Sequence, residues 1–537
     1  MKLASLHPSR RRRVQKLLST LRTRRTVPVG SPRRWTSALL LATTALGGCM
    51  VGPDYHRPAA IQPLHLKEIA PPPGWAFADP HFAELPKGAW WTLYNDPVLN
   101  GLEAQVNVSN QTIKADEAAF RTARALVDEA RSGLFPTASL TPGVTRSGSG
   151  GNATSSLSTG ALSTFNTGSG GYNNTNYSLA GSASWEIDVW GAIRRQVESQ
   201  VAAAQVSQAT LDAARLSEQA ALATDYFELR YQDSLQTLLD QFVAYYQQSE
   251  QITRNSTIAG VSAPSDLLQA ETLTATTQAQ AVEVGIARAQ YEHAIAVLTG
   301  HPPSDLSLTP GPLTSAIPAI PVTVPSLLLQ RRPDIAEAER SMEQENALIG
   351  VAIAAFYPTI SLSAAASYAG DPLGSLIQVA NRTWSLAASA AETLFNGGER
   401  TAAVRAARAT YDESVANYRQ TVLSAFQGVE DQLSNLRILQ RQAEAQRQAV
   451  DLANESVQVA QNQYEAGTAI YTTVITDEAT ALTNAETALG IQESRILASV
   501  TLIEDLGGGW DTSELIGKNA LQVDNPLLPS FIQKNQN

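Results

Sequence analysis

Few residues of this chain have the chemistry for covalent work. Cys49 is the single cysteine among 537 residues, and the six histidines are scattered. That leaves neither a disulfide framework nor a histidine cluster for a metal. A lone cysteine is usually a small buried residue. This one instead stands directly behind a short apolar run, Trp35 to Leu46, and the pair Gly47-Gly48. No G-x-x-x-x-G-K-[ST] loop is present to cradle phosphates, and no G-x-S-x-G elbow presents a nucleophile. Gly148-Ser149-Gly150-Gly151 lies in a Ser/Gly/Asn/Thr stretch and reads as a loop tip. Carboxylate pairs such as Glu430-Asp431 are adjacent on a helical pattern, where solvation explains them better than acid/base work. Catalytic residues, metal ligands and cofactor sites are therefore not expected, and neither is an enzyme.

The elements around Cys49 explain its place. Eleven Lys and Arg precede residue 36 without one acid, and the apolar run follows. A basic region, a short apolar region and small residues describe a secretory signal peptide over 1–48. The apolar run of 12 residues is too short to cross roughly 30 Å of hydrocarbon. Leu46-Gly47-Gly48-Cys49 resembles the lipobox of bacterial lipoproteins. The resemblance implies that Cys49 becomes the mature N-terminus and carries lipid, palmitate included. Met50 in place of Asp fits sorting to the outer membrane. Taking the eleven leader bases from the 39 leaves 28 against 50 acids, so the net charge moves from −11 to −22. Such an acidic chain argues against nucleic acid as a partner.

The rest of the chain repeats itself. Leu134-Phe135-Pro136-Thr137 returns as Phe356-Tyr357-Pro358-Thr359, and Trp190-Gly191-Ala192-Ile193-Arg194 returns loosely as Asn396-Gly397-Gly398-Glu399-Arg400. Gly260 and Glu271 match Gly467 and Glu478, and Leu298-Thr299-Gly300 matches Leu506-Gly507-Gly508. The period is too long for a solenoid and marks two halves of one architecture. We expect an N-terminal segment over 49–96, repeats over 97–300 and 326–510, a Pro-rich linker over 301–325, and a tail over 511–537.

Each half switches period. Tyr177, Leu179, Gly181, Ala183, Trp185, Ile187 and Val189 alternate with Ser178, Ala180, Ser182, Ser184, Glu186 and Asp188. Similar alternation predicts strands at about 134–146, 177–190, 357–369 and 383–395, each with one apolar and one polar face. Apolar-out, polar-in segments with aromatics near their ends suit a membrane barrel. Four strands are too few, since the smallest barrels need about eight, so the choice lies between an open sheet and a barrel shared with other copies. The shared barrel fits the Ala-rich apolar faces better.

Long Pro-free stretches follow Gly191 and Gly398. The stripe Tyr411, Val415, Tyr418, Val422, Phe426, Val429, Leu433, Leu436 keeps the helical period. Helices over Ala192–Ile258 and Arg400–Tyr464 would each rise roughly 95 to 100 Å. Shorter arms at Ser265–Thr299, Thr472–Leu506, Pro97–Arg131 and Pro325–Ala355 would stack end to end beside them. Tight turns at Gly260-Val261-Ser262-Ala263-Pro264 and Gly467-Thr468-Ala469-Ile470 close the far ends.

These features resemble the TolC-type outer-membrane factors, in particular the lipoprotein branch serving RND-type multidrug efflux systems. The matching stretches are Cys49-Met50-Val51-Gly52-Pro53-Asp54-Tyr55, Trp90-Trp91 with Asp96-Pro97-Val98-Leu99, and Trp185-Glu186-Ile187-Asp188-Val189-Trp190-Gly191. To these add Arg331-Arg332-Pro333-Asp334-Ile335, Phe356-Tyr357-Pro358 and Leu394-Phe395-Asn396-Gly397-Gly398. The resemblance implies a mainly α fold with membrane β. Long antiparallel coiled-coil helices would form an α-barrel, and four strands per chain would enter a 12-stranded barrel of a homotrimer. It further implies a passive exit duct for small toxic compounds or drugs. The duct would sit in outer-membrane lipid and dock at its periplasmic tip onto a membrane-fusion adaptor and an inner-membrane RND-type pump. Type I protein secretion is the main rival within that class. A non-conducting coiled-coil lipoprotein is the rival outside it.

In the family, the turn glycines precede residues that constrict the aperture, often aspartate rings. The resemblance therefore assigns Gly260, Val261, Ser262, Asp266, Gly467, Thr468 and Thr473 to tip and docking. Asp266 has Thr473 as its counterpart, Thr476 stands where an aspartate is common, and Asp477 is one position on and turned to another side. At most one acidic ring is then expected, from Asp266, whose place in a first helical turn would also favour an acid for structural reasons.

Overall fold

The computed structural model describes residues 50–60, 66–69, 88–149, 172–313, 316–318, 320 and 330–517. Residues 1–49, the stretches 61–65, 70–87 and 150–171, and parts of the linker and tail lie outside the described residues, and with them the expected signal peptide and lipid attachment at Cys49. From Met50 onward the chain forms one unit. Its elements are α1 (Pro97–Ser109), α2 (Gln111–Ser132), β1 (Thr137–Ser149), β2 (Tyr172–Ile187), α3 (Ala192–Ile258) and α4 (Pro264–Leu298). The second half holds α5 (Pro333–Ala354), β3 (Thr359–Gly370), β4 (Arg382–Ala391), α6 (Glu399–Glu465) and α7 (Tyr471–Asp505).

The duplication is quantitative. α3 and α6 both have 67 residues, α4 and α7 both have 35, and α2 and α5 both have 22. A 67-residue helix rises about 100 Å. Gly191 (φ 82°) and Gly398 (φ 92°) cap the starts of α3 and α6 in the left-handed region, which glycine enters without a Cβ penalty. The ends of α4 and α7 share a second cap. Gly300 N–H donates to Val297 O and His301 N–H to Ala296 O, while Gly507 N–H donates to Glu504 O and Gly508 N–H to Ile503 O. Gly398 thus pairs with Gly191 and Gly507 with Gly300, each one residue from the pairing that motif matching suggests.

α3 packs against α2 and α4 along one side and against α5 and α7 along another, and α6 completes the row against α5 and α7. The stripe on α6 is its buried seam: Tyr418, Val422, Phe426 and Val429 form a cluster with Ile335, Met342 and Leu502. α6 runs unbroken through Gly428, where a Cβ would stand 2.7 Å from Asp505 Oδ1. A second cluster joins Trp90, Trp91, Tyr94, Leu99, Tyr226, Phe227, Ile496 and Ile503. The linker is clasped there: Arg230 donates to Thr309 O (2.7 Å), Arg288 to Leu308 O (2.7 Å), and Asp233 accepts from Gly311 N–H (3.0 Å). Among the described residues no helix is long and apolar enough to cross a membrane.

The upper arms are shorter than expected. Asn110 divides the first arm. Its backbone is extended (ψ 131°), its Oδ1 accepts from Thr112 and Ile113 N–H, and its amide donates to Leu298 O and Glu218. That is an N-cap, which starts a new helix. In the second arm Arg332, before Pro333, is extended, as a residue preceding proline must usually be. Strand limits also move by a few residues, and β1 continues to Ser149 rather than ending by Arg146.

Candidate functional site

The four strands form one antiparallel sheet in chain order. Register decides which side chains share a face, because one residue of slip would invert every side chain. Leu140, Gly181, Ala366 and Trp384 lie in one row across the sheet, and Ser139, Ser182, Ala365 and Ser385 in the next. The apolar face carries exposed Leu140, Val144, Trp384 and Leu386. The other face is a hydroxyl ladder: Thr137–Ser184 (2.9 Å), Ser139–Ser182 (2.8 Å), Ser361–Ser389 (2.8 Å) and Ser367–Thr383 (2.7 Å). The outer edges of β1 and β4 have no strand partner among the described residues. Where strands meet helices, Trp190 stacks on Tyr357 at 4.8 Å and donates to Pro358 O, and Trp185 donates to Leu134 O. Phe135, Phe356, Leu394 and Phe395 are exposed nearby in sequence, the kind of girdle that interfaces favour.

The residues after Cys49 are fastened to this junction. Val51 N–H donates to Trp190 O (3.0 Å), and Arg195, 1% exposed, donates to Val51 O, Gly52 O and Asp54. Space is tight enough that a Cβ on Gly191 would meet Met50 at 2.6 Å, and one on Gly52 would meet Gly350 at 2.4 Å. Arg57 continues the track, pairing with Glu339 and donating to Tyr418.

At the opposite ends of α3 and α6 the two turns have the same build. Gly260 (φ 74°) N–H donates to Thr257 O and Val261 N–H to Ser256 O; Gly467 (φ 72°) N–H donates to Tyr464 O and Thr468 N–H to Gln463 O. Nothing crowds either glycine, so the dihedral alone requires it. Val261 and Ile470 are 82% and 71% exposed. Ser262 Oγ bonds Thr257 Oγ, Asp266 sits in the first turn of α4, and Thr473 holds the matching place in α7. The turns adjoin: Ala270, Ala460, Tyr471 and Val474 form one cluster, and Thr472 bonds Gln269 at 3.4 Å. Asp477 turns to α6 and accepts from Ser456 at 2.8 Å. The seven turn residues assigned from resemblance therefore lie in two adjoining turns. Glu478, in the same turn of α7, is buried and pushed up to about 7 by loss of solvent. Its match to Glu271 was visible in the sequence, but its burial was not.

A sheet with one lipid-compatible face and one hydroxyl face, carried on helix pairs that end in paired glycine turns, defines an outer-membrane channel subunit. The profile of the family described as "Outer membrane efflux protein" matches residues 103–301 and 324–508, and the chain belongs to that family. It is similar to the solvent efflux pump outer membrane protein SrpC of Pseudomonas putida, 30% identical over 490 residues that cover 90% of this chain and all of that one. It is also similar to the probable efflux pump outer membrane protein TtgC of Pseudomonas putida, at 29% identity with 88% and 96% covered. Among solved structures, the outer-membrane channel OprN superposes with a TM-score of 0.77 at 28% identity, covering 86% of this chain and 100% of that one. The open state of the Neisseria gonorrhoeae MtrE channel shares the fold, with a TM-score of 0.71 at 24% identity, covering 86% of this chain and 99% of that one. The protein is thus an outer-membrane efflux protein.

Proposed function

We propose that three copies close the sheet into a 12-stranded barrel and that the resulting tube is the passive exit duct of a tripartite pump for small toxic compounds. The observation that carries this is the pair of strand edges without a partner among the described residues, flanking a sheet whose faces are already sorted into apolar and hydroxyl. Such edges need a partner, and within hydrocarbon only a closed barrel satisfies them. Three copies of a four-stranded sheet pass the minimum of about eight strands. Lipid on Cys49 would anchor the chain to the outer membrane, and the residues from Met50 onward are fastened at the junction of strands and helices. The two turns, Gly260 to Leu268 and Gly467 to Ile475, form the periplasmic tip that docks a membrane-fusion adaptor and gates passage. An inner-membrane RND-type pump supplies the energy, and the names of the solvent and antibiotic efflux relatives support small-molecule cargo.

Cross-linking of the detergent-extracted protein followed by mass measurement should give three chains per particle; a monomer or dimer contradicts the barrel. At the tip, Asp266→Ala should weaken block by multivalent cations in single-channel records. Unchanged conductance and unchanged block remove Asp266 from the gate.

A further inference from the structure

Besides Asp266 and Thr473, the two halves differ near the tip in a charge pair. In the first, Arg254 pairs with Glu271 at 2.8 Å and with Glu250 at 2.7 Å, in partly exposed surroundings. Arg254 is four residues before the end of α3 and Glu271 seven after the start of α4. The same places in α6 and α7 belong to Gln461 and Glu478. Gln461 brings no charge: its amide bonds the Tyr245 hydroxyl and stands 3.5 Å from Glu478 Oε1. Glu478 is 1% exposed, and its Oε2 has no partner.

Three helices meet around this carboxyl. α3 contributes Tyr245, Tyr246 and Ser249, α6 contributes Gln461 and Tyr464, and α7 itself contributes Tyr471. Tyr246 donates to Glu478 O at 3.0 Å, and the Tyr471 and Ser249 hydroxyls bond at 3.0 Å. The titratable groups that face it are Tyr245, Tyr246 and Tyr471, and hydrogen bonding from Ser249, Gln461 and Tyr245 offsets only part of the rise that burial causes. No arginine, lysine or histidine pairs with Glu478 among the described residues. Solvent-open clefts of about 340 and 140 Å³, lined by residues of α3, α6 and α7, flank the cage, and Glu478 lines the larger.

We propose that Glu478 is a protonation-controlled latch. As the neutral acid it lets α7 seat between α3 and α6 and keep the tip narrow; as the carboxylate it loosens that seat. A neutral carboxyl tolerates the cage, whereas a buried carboxylate with no cation beside it is disfavoured there. In the first half Glu271 is partly exposed and has Arg254 as an ion-pair partner, which Glu478 lacks. Since burial raises Glu478 from 4.5 to about 7, the stabilisation is complete below pH 4.5 and is lost as pH rises through about 7. Between pH 6 and 8 the seated-to-loosened ratio falls roughly tenfold per protomer. The gating consequence rests on the reading of these turns as the periplasmic tip.

The test is hydrogen exchange of residues 471–481 in the full-length protein in lipid nanodiscs, corrected for intrinsic rate, with single-channel recording on the same samples. In the wild type, protection should fall about tenfold from pH 6 to pH 8, and open probability should rise. Glu478→Gln should stay protected at both values, and Gln461→Arg, which restores the first-half pair, should flatten the profile as well. Equal pH profiles in wild type and Glu478→Gln, or an unaltered profile in Gln461→Arg, overturn the latch. Loss of protection without any conductance at either pH would retain the latch and overturn the duct. Conduction with a flat exchange profile would do the reverse.

Discussion

At the residue scale, three side chains carry most of the consequence. Glu103 in α1 is 0% exposed, both carboxylate oxygens lack a partner, and burial pushes it up to about 9. A raised carboxyl contributes stability that is complete below its unfolded value of 4.5 and is lost toward 9. Between pH 5 and 8 this group should therefore lower stability by roughly 1 kcal/mol per pH unit. Glu103→Leu should remove that slope in denaturant titrations, and a slope equal to wild type would show that the carboxyl finds a counter-ion or water. Arg195 makes a different prediction. It holds the backbone of Val51 and Gly52, so Arg195→Ala should expose residues 50–57 to limited proteolysis while the helical circular dichroism stays constant. Unchanged cleavage would mean the other contacts suffice. Glu478 completes the set as the tip acid that lacks the arginine its repeat partner has.

At the scale of elements, helices were legible and their partners were not. Ala192–Ile258 follows from a Pro-free stretch bounded by two glycines, and the structure has those limits. Asn110 gave no warning, because asparagine inside an apolar period reads as tolerated until its cap bonds are seen. β2 begins at Tyr172 because Asn173 to Asn176 are polar on both faces, which alternation cannot detect. The cage of Glu478 draws on residues more than 200 positions apart, beyond any local pattern. Alternation did sort the sheet faces, and this supports a paired test. Leu386→Arg on the apolar face should cost about 2 to 4 kcal/mol if it meets mid-bilayer and reduce the assembled fraction in outer-membrane preparations. Ser385→Arg on the hydroxyl face should leave assembly near wild type, and equal losses would contradict the assignment of faces. On α6, Gly428→Ala should lower the unfolding midpoint despite the usual helical gain of about 1 kcal/mol, since its Cβ would press on Asp505, the partner of Arg332. A raised midpoint would mean that the pair gives way without cost.

At the scale of the whole molecule, duplication makes a tube from few parts. Two long helices and their stacked half-length arms give each copy a row of helices, and two hairpins give it the four strands that the proposed barrel takes from each copy. The hydroxyl ladder offers little chemical discrimination, which suits a conduit whose cargo is selected elsewhere. The acid surplus of the chain, −11 overall and −22 over residues 49–537, should favour cations in transit. Reversal potentials across a salt gradient check this, and anion preference would place the acids on the outer surface instead. The central claim is that this chain forms a conducting duct, and recording purified full-length protein in a planar lipid bilayer tests it most directly. The account predicts discrete single-channel steps from particles of three chains. Stable insertion of the folded protein with no conductance at any voltage or pH would contradict it.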